Sequence, residues 1–278
     1  MKINLLNIMF NVYNKLNKKN IKYIHTQKYH IKDYFKELLL FSRNSTYWSR
    51  YKGYINGKTL NNKHNEFVKM GLYKEVYNCI LYLYYKQHNK LHLKYQSIDS
   101  LFVKNKLCIM KPTFDNKQIG RNKFYKNKKG LKITTIIDDN YVPISFSVNY
   151  GNSNDAKLFD ETFNNLLINP FSEKYYKLNK YKQYFLGDSG YDTLYIRNIL
   201  KNKKITPIID INNRNTKDIN KRYLTKIEKK KYIKRIKVEN YFGILTQYPK
   251  MNIIIEKTIK SFEGFLFLVA SNILYNKI

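Results

Sequence analysis

The sequence predicts a mixed α/β fold: a five-stranded mixed sheet flanked by helices and preceded by a mostly helical N-terminal region. Three observations predict it. Apolar residues recur every three or four positions up to about residue 90 and every second position beyond it. Three strand patterns come next, followed by alternating helix and strand patterns. At 278 residues, 43% apolar and 16% aromatic, the chain has the material to bury such a core.

The helical part, residues 1–90, is read from spacing. IKDYFKELLLF (31–41) carries apolar residues three and four apart, and so do TLNNKHNEFVKM (59–70) and LYKEVYNCILYLYYKQ (72–87), with Gly71 as the turn between them. That last pair has the form of a helix-turn-helix, which would set one helix in a DNA groove, and equally of a hairpin that merely packs.

Residues 91–278 make the sheet domain. In LHLKYQSIDSLFV (91–103), Leu93, Tyr95, Ser97, Asp99, Leu101 and Val103 share one face of a strand. LKITTII and YVPISFSV are two more strands, joined at Asp138, Asp139 and Asn140, a hairpin turn. DAKLFDETFNNLL reads as a helix capped by Asn154 or Asp155, and QYFLGD as a short buried strand. TLYIRNILKN is a helix that Asp192 can cap, and KITPIID is the fifth strand. Thr225 and Glu228 form a capping box for a helix that runs to Tyr248, where Pro249 stops it.

Composition narrows the function. There are 52 Lys plus Arg against 20 Asp plus Glu, a net charge of +32, which suits a polyanionic partner, nucleic acid above all. The wealth of Lys, Asn, Ile, Tyr and Phe, whose codons are rich in A and T, accounts for part of that surplus. Two cysteines give neither a disulfide framework nor a four-ligand zinc site. The N-terminus lacks a signal-peptide pattern, and the apolar run FEGFLFLVASNIL is too short and too interrupted to cross a bilayer, so an intracellular, non-membrane protein is expected. KQIGRNKFYKNKKG (117–130), with Lys128 and Lys129, has the composition to track a DNA strand and equally that of a lysine-rich loop.

Among so few acids, three resist a bland explanation. Asp99 lies inside a strand, where an unpaired carboxylate is costly to bury. Asp188 ends a buried strand between Gly187 and Gly190, a place where open α/β sheets put ligands. Glu239 shares one helix face with Tyr232, Arg235 and Thr246. An exposed i, i+4 pair with Arg235 would explain Glu239 alone. Yet Arg235 is one of seven arginines among 52 basic residues, 45 being lysine, and a guanidinium grips a phosphate in two places.

These residues, the IDS at Asp99, the block KKGLKITTIIDDNYVPISFSVNYGNSNDAKLF, the LGDSGYD at Asp188 and the YIKRIKVENYFGIL at Glu239 resemble the DDE transposases of bacterial insertion sequences. The resemblance covers about residues 45–275 and implies an RNase H-like catalytic core related to that of retroviral integrases. Tyr232, Arg235 and Glu239 match the family's Y-x2-R-x3-E-x6-K signature, and Thr246 stands where it has Lys. The resemblance implies that Asp99, Asp188 and Glu239 hold two Mg²⁺ ions, with Mn²⁺ as a substitute, for cleavage and strand transfer at transposon ends. It further implies that Arg235 clamps a phosphate, that Tyr232 contacts the DNA backbone, and that a homodimer acts on paired ends of double-stranded DNA, with no small-molecule substrate. Two other functions fit such a chain: a transposase-derived DNA-binding protein that no longer cuts, and an RNase H-like nuclease or resolvase.

Overall fold

The computed structural model describes residues 4–17, 28–89, 91–105, 120–168, 182–212 and 223–278. The chain divides into two compact units: Met1–His88 and Leu245–Ile278 make up most of one, Asn89–Lys104 and Pro112–Ile244 the other. The sequence reading divided the chain at residue 90 and kept residues 245–278 with the sheet; by packing, those residues lie in the helical unit.

The helical unit contains α1 (Leu5–Asn17), α2 (Ile31–Ser42), α3 (Gly57–Lys69), α4 (Leu72–His88), α9 (Pro249–Asn252) and α10 (Ile259–Tyr275). Side chains start its helices: Asn56 Oδ1 accepts from the Thr59 N–H at 2.9 Å, and Thr258 Oγ1 from that of Ser261 at 3.2 Å. Gly71 turns the chain from α3 into α4 at φ 68°, where a side chain would be strained. Helix α4 buries Tyr73, Val76, Tyr77, Ile80, Leu81 and Tyr84 and packs on α1 and α10. No helix among the described residues is long and apolar enough to cross a membrane.

Inside this unit lies a polar cluster. His64 is fully buried, with Nδ1 2.7 Å from Tyr73 Oη and Nε2 3.0 Å from Ser261 Oγ. Burial pushes its pKa down to about 3, so the ring is neutral. Glu256 accepts from the Trp48 indole N–H at 3.2 Å and from the Ser261 hydroxyl. Lys250 donates to Thr46 O at 3.0 Å and lies 3.5 Å from the Phe41 ring centroid.

The second unit is built on one sheet: β1 (Tyr95–Lys104), β2 (Gly120–Asn122), β3 (Lys128–Ile137), β4 (Pro143–Tyr150), β5 (Gln183–Gly187) and β6 (Ile205–Ile209). Strand β3 pairs antiparallel with β1 along one edge and with β2 and β4 along the other. β5 and β6 then extend the sheet in parallel beyond β1. Four strands in antiparallel pairing joined to a parallel half, with helices on the sheet, give the RNase H-like fold expected. The β3–β4 hairpin closes at Asp138, whose Oδ1 accepts from the N–H groups of Asn140 and Val142.

Burial follows the strand pattern. Ile98, Ile133, Ile136, Phe185 and Leu186 are fully covered, and each such side chain contributes about 1.5–3 kcal/mol relative to exposure. Helix α5 (Asp155–Asn164) sets Phe159 and Phe163 edge-on against Phe185, and α6 (Leu194–Asn202) packs Ile196 and Leu200 beneath β6.

Four local features differ from the sequence reading. A sixth strand, β2, lies within the 117–130 segment, of which residues 117–119 fall outside the described residues; three polar-flanked residues held by pairing to β3 leave no alternation to read. Thr193, not Asp192, caps α6, its hydroxyl accepting from the Ile196 N–H at 3.2 Å. The expected helix over 226–248 is three pieces: α7 (Lys226–Tyr232), a 3₁₀ turn (Ile233–Arg235) and α8 (Ile236–Leu245). Pro249 opens α9 instead of ending a helix, since at the first helical position its missing N–H costs no hydrogen bond.

Candidate active site

Strands β1 and β5 pair with a constant offset of 89, Tyr95 with Tyr184 through Ser97 with Leu186. Two residues beyond the last of these pairs lie Asp99, still in β1, and Asp188, one residue past the end of β5, close enough for the Asp188 charge to act on Asp99. Residues in register on neighbouring parallel strands point to the same face, so the two carboxylates become neighbours through the sheet itself. Asp188 also caps the 3₁₀ turn Ser189–Tyr191, its Oδ1 accepting from the Gly190 N–H at 2.8 Å. Asp188 thus has a local role in the turn through one oxygen, and its second oxygen accepts no hydrogen bond among the described residues.

Asp99 Oδ1 accepts from the Ser100 N–H at 2.8 Å, and Oδ2 from Arg235 Nη1 at 2.9 Å. The other terminal nitrogen of the same guanidinium, Nη2, donates to Glu239 Oε1. Asp99 and Arg235 are about four-fifths buried, whereas the Glu239 side chain is 49% exposed. Arg235 thus joins β1 to the start of α8, using the fork that only arginine has. Tyr232 lies on the same side, with the guanidinium carbon 5.8 Å from its ring centroid.

The electrostatics follow from burial. Asp99 is pushed up to about 6 by desolvation, opposed by the Ser100 N–H and Arg235 and reinforced by the Asp188 charge. Burial also raises Asp188, helped by Asp155 and opposed by the Gly190 N–H, Arg235 and Lys132. Tyr232 is raised, again by burial first.

The sequence reading passed over Asp155, Lys132 and Tyr191. Asp155 opens α5 and pairs through Oδ1 with Lys132 Nζ at 3.0 Å. A side-chain carbon at Gly190 would lie 3.0 Å from Asp188 Oδ1 and 3.5 Å from Asp155 Oδ2, so both carboxylates crowd one glycine. Asp155 is a reasonable cap by sequence, and that hid its nearness to Asp188. Tyr191 is buried, its hydroxyl 3.1 Å from Ser100 Oγ, which in turn lies 2.9 Å from Thr134 Oγ1. A cleft of about 770 Å³ opens beside Asp188, lined also by Arg121, Lys123, Lys132, Asp155 and Gly190.

Of the residues singled out from sequence, Asp99, Asp188, Arg235, Glu239 and Tyr232 are therefore brought into one neighbourhood. Lys128 and Lys129 are exposed at the start of β3, paired in register with Asn122 and Arg121, two residues that line the cleft. Among the described residues no three Asp, Glu, His or Cys side chains stand close enough together to hold a metal ion. The donor chemistry nonetheless suits a hard divalent cation at Asp99 and Asp188: two neighbouring carboxylates that burial and mutual repulsion disfavour as anions. Glu239, the third candidate oxygen donor, is engaged by Arg235.

Comparison with curated proteins and with solved structures returned no match. A family model described as the transposase DDE domain matches residues 96–273, which takes in the whole carboxylate site and the whole sheet apart from Tyr95, the first residue of β1. With well over half of its length matched, and with an RNase H-like sheet that carries Asp99 on β1 and delivers Asp188 just past the end of the adjacent β5, the chain belongs to the transposase DDE domain family.

Proposed function

We propose that the chain cleaves DNA phosphodiesters at the ends of its own element and joins them to target DNA, with Asp99, Asp188 and Glu239 as the catalytic carboxylates. The observation that carries this reading is the nearness of Asp99 on β1 to Asp188 just past the end of β5, with Arg235 bridging Asp99 to Glu239. These three side chains would hold two Mg²⁺ ions, or Mn²⁺ in their place. When bound, the ions supply an activated water or 3′-hydroxyl and stabilise the leaving oxygen.

The other roles fall to the chain's own groups. Arg235, now shared by two carboxylates, offers its fork to a phosphate oxygen once DNA enters. Tyr232 stands against the same phosphate and limits how the guanidinium swings. Lys128 and Lys129, beside the cleft, hold the backbone of the double-stranded substrate. The α3–α4 hairpin of the N-terminal region is available as a DNA-reading element, and a homodimer would bring two ends together.

The test uses the full chain, Mg²⁺ or Mn²⁺ and DNA bearing the element's terminal sequences. Nicking is expected, and Asp188→Ala should abolish it while leaving DNA binding intact. Nicking that survives this substitution removes Asp188 from the mechanism. A second reading, a DNA-binding descendant that no longer cuts, is favoured by Arg235 occupying Asp99 and Glu239 together and by Thr246 at the family's lysine position. Under it, wild type and Asp188→Ala bind equally and neither nicks.

A further inference from the structure

A second charged surface lies at the start of the same two strands that carry Asp99 and Asp188. Tyr95 and Tyr184 are partners across the β1–β5 ladder, and their rings stack with centroids 5.4 Å apart at 18°. Four ammonium groups gather on this pair. Lys234 Nζ lies 4.0 Å from the Tyr95 centroid and Lys231 Nζ 4.0 Å from that of Tyr184. Lys94 stands 5.6 Å from Tyr95 and Lys182 5.9 Å from Tyr184.

One lysine on one ring is ordinary packing. Four around a single stacked pair is different, because like charges repel and something must offset them. Among the described residues none of the four forms an ion pair with a carboxylate, although Lys132, Arg197, Arg235 and Lys237 of the same unit all do. The Tyr184 phenol registers this field: Lys231 foremost, with the charges of Lys182 and Lys94, holds its pKa below the usual tyrosine value. Lys94 and Lys182 are exposed and Lys231 and Lys234 half-exposed, so the charge faces solvent.

We propose that the Tyr95–Tyr184 pair and its four lysines form a landing surface for the phosphodiester backbone of duplex DNA, distinct from the carboxylate site. The rings hold the ammonium groups in place before DNA arrives, and phosphates supply the anions that these lysines lack among the described residues. Lysine is a point charge on a flexible stem, suited to phosphates irrespective of sequence. Lys234 directly precedes Arg235 in the 3₁₀ turn, so a backbone lying on this surface runs toward the guanidinium at Asp99. The choice of DNA as partner rests on the proposed transposase function; the surface itself does not depend on the carboxylates.

The experiment measures binding of a fluorescent non-specific duplex by anisotropy, in chelator, over a salt series. It compares wild type, the quadruple variant Lys94→Gln, Lys182→Gln, Lys231→Gln, Lys234→Gln, and a control neutralising the exposed Lys104, Lys157, Lys201 and Lys260. Each lost phosphate contact flattens the slope of log K against log salt by about 0.9. The first variant should therefore lose about 3 to 4 from its slope, and the control less than about 1. A wild-type slope in the first variant, or an equal loss in the control, overturns the proposal. Should the quadruple variant fail to fold, Lys94→Gln with Lys182→Gln, both exposed lysines, is expected to lose about 2, and no loss overturns it equally. A slope change without nicking by wild type counts against the carboxylates alone; nicking with an unchanged slope counts against this surface alone.

Discussion

Arg235 donates to Asp99 Oδ2 at 2.9 Å and to Glu239 through its other terminal nitrogen, so one guanidinium holds two carboxylates that are 140 positions apart in the chain (239 − 99). Lysine cannot reproduce that fork. Arg235→Lys should lower the nicking rate by about 100-fold or more, since positioned charge on a phosphate is worth several kcal/mol in the transition state. Binding of a non-specific duplex should fall less than about threefold, because the net charge is unchanged. Equal losses in rate and affinity would show that Arg235 contributes charge without positioning.

Asp99 carries a pH signature. Its pKa is raised from 3.8 to about 6 by burial. Between those values the unfolded chain has lost the proton and the folded chain retains it, so folding takes up a proton and stability falls as pH rises through the window. The shift corresponds to at most about 3 kcal/mol, complete above pH 6. Thermal unfolding of Asp99→Asn in chelator, against wild type from pH 4 to 7, should show the variant gaining stability relative to wild type with rising pH. A constant difference between the two would mean that Asp99 does not titrate there.

In the helical unit, Lys250 and Glu256 are both nearly inaccessible, 2% and 3% exposed, and burial drives Lys250 down to about 8 and Glu256 upward. Removing either charge alone leaves the other buried without its counterpart. Lys250→Met should cost about 3 kcal/mol in urea unfolding, whereas Lys250→Met combined with Glu256→Gln should recover most of it. Additive losses would mean that the two charges do not compensate each other.

How much of this was legible in the sequence depends on which interactions are local. The strand holding Asp99 and the strand that ends just before Asp188 announce themselves by alternation and by a buried run, and the Thr225–Glu228 capping box is present as read. The 3₁₀ turn at Ile233–Arg235 was not legible, because the residues there are good helix formers and the tightening serves the tertiary bond from Arg235 to Asp99. Asp155 was misjudged for the same reason. Its local role at the start of α5 satisfies the sequence, and its approach to Asp188 exists only once the sheet has assembled. The long-range offset of 89 that joins the two aspartates is a property of the sheet, and no periodicity carries it.

Gly190 offers the sharpest test of positioning. Its backbone φ is not left-handed, so alanine fits the local conformation, yet the added carbon would meet Asp188 Oδ1 at 3.0 Å and Asp155 Oδ2 at 3.5 Å. Something must give by a few tenths of an ångström. The Asp188 carboxylate is the nearer party, and its displacement would strain the bond it accepts from the Gly190 N–H, while Asp155 is held by Lys132 and Tyr191 is fully buried. Gly190→Ala should therefore leave the melting temperature within about 2 °C of wild type, consistent with a cost of half a kcal/mol or less. Nicking should fall at least about tenfold, since small displacements of reacting groups cost rate steeply. If the variant melts normally and nicks at the wild-type rate, the position of Asp188 at the end of β5 does not matter to the chemistry.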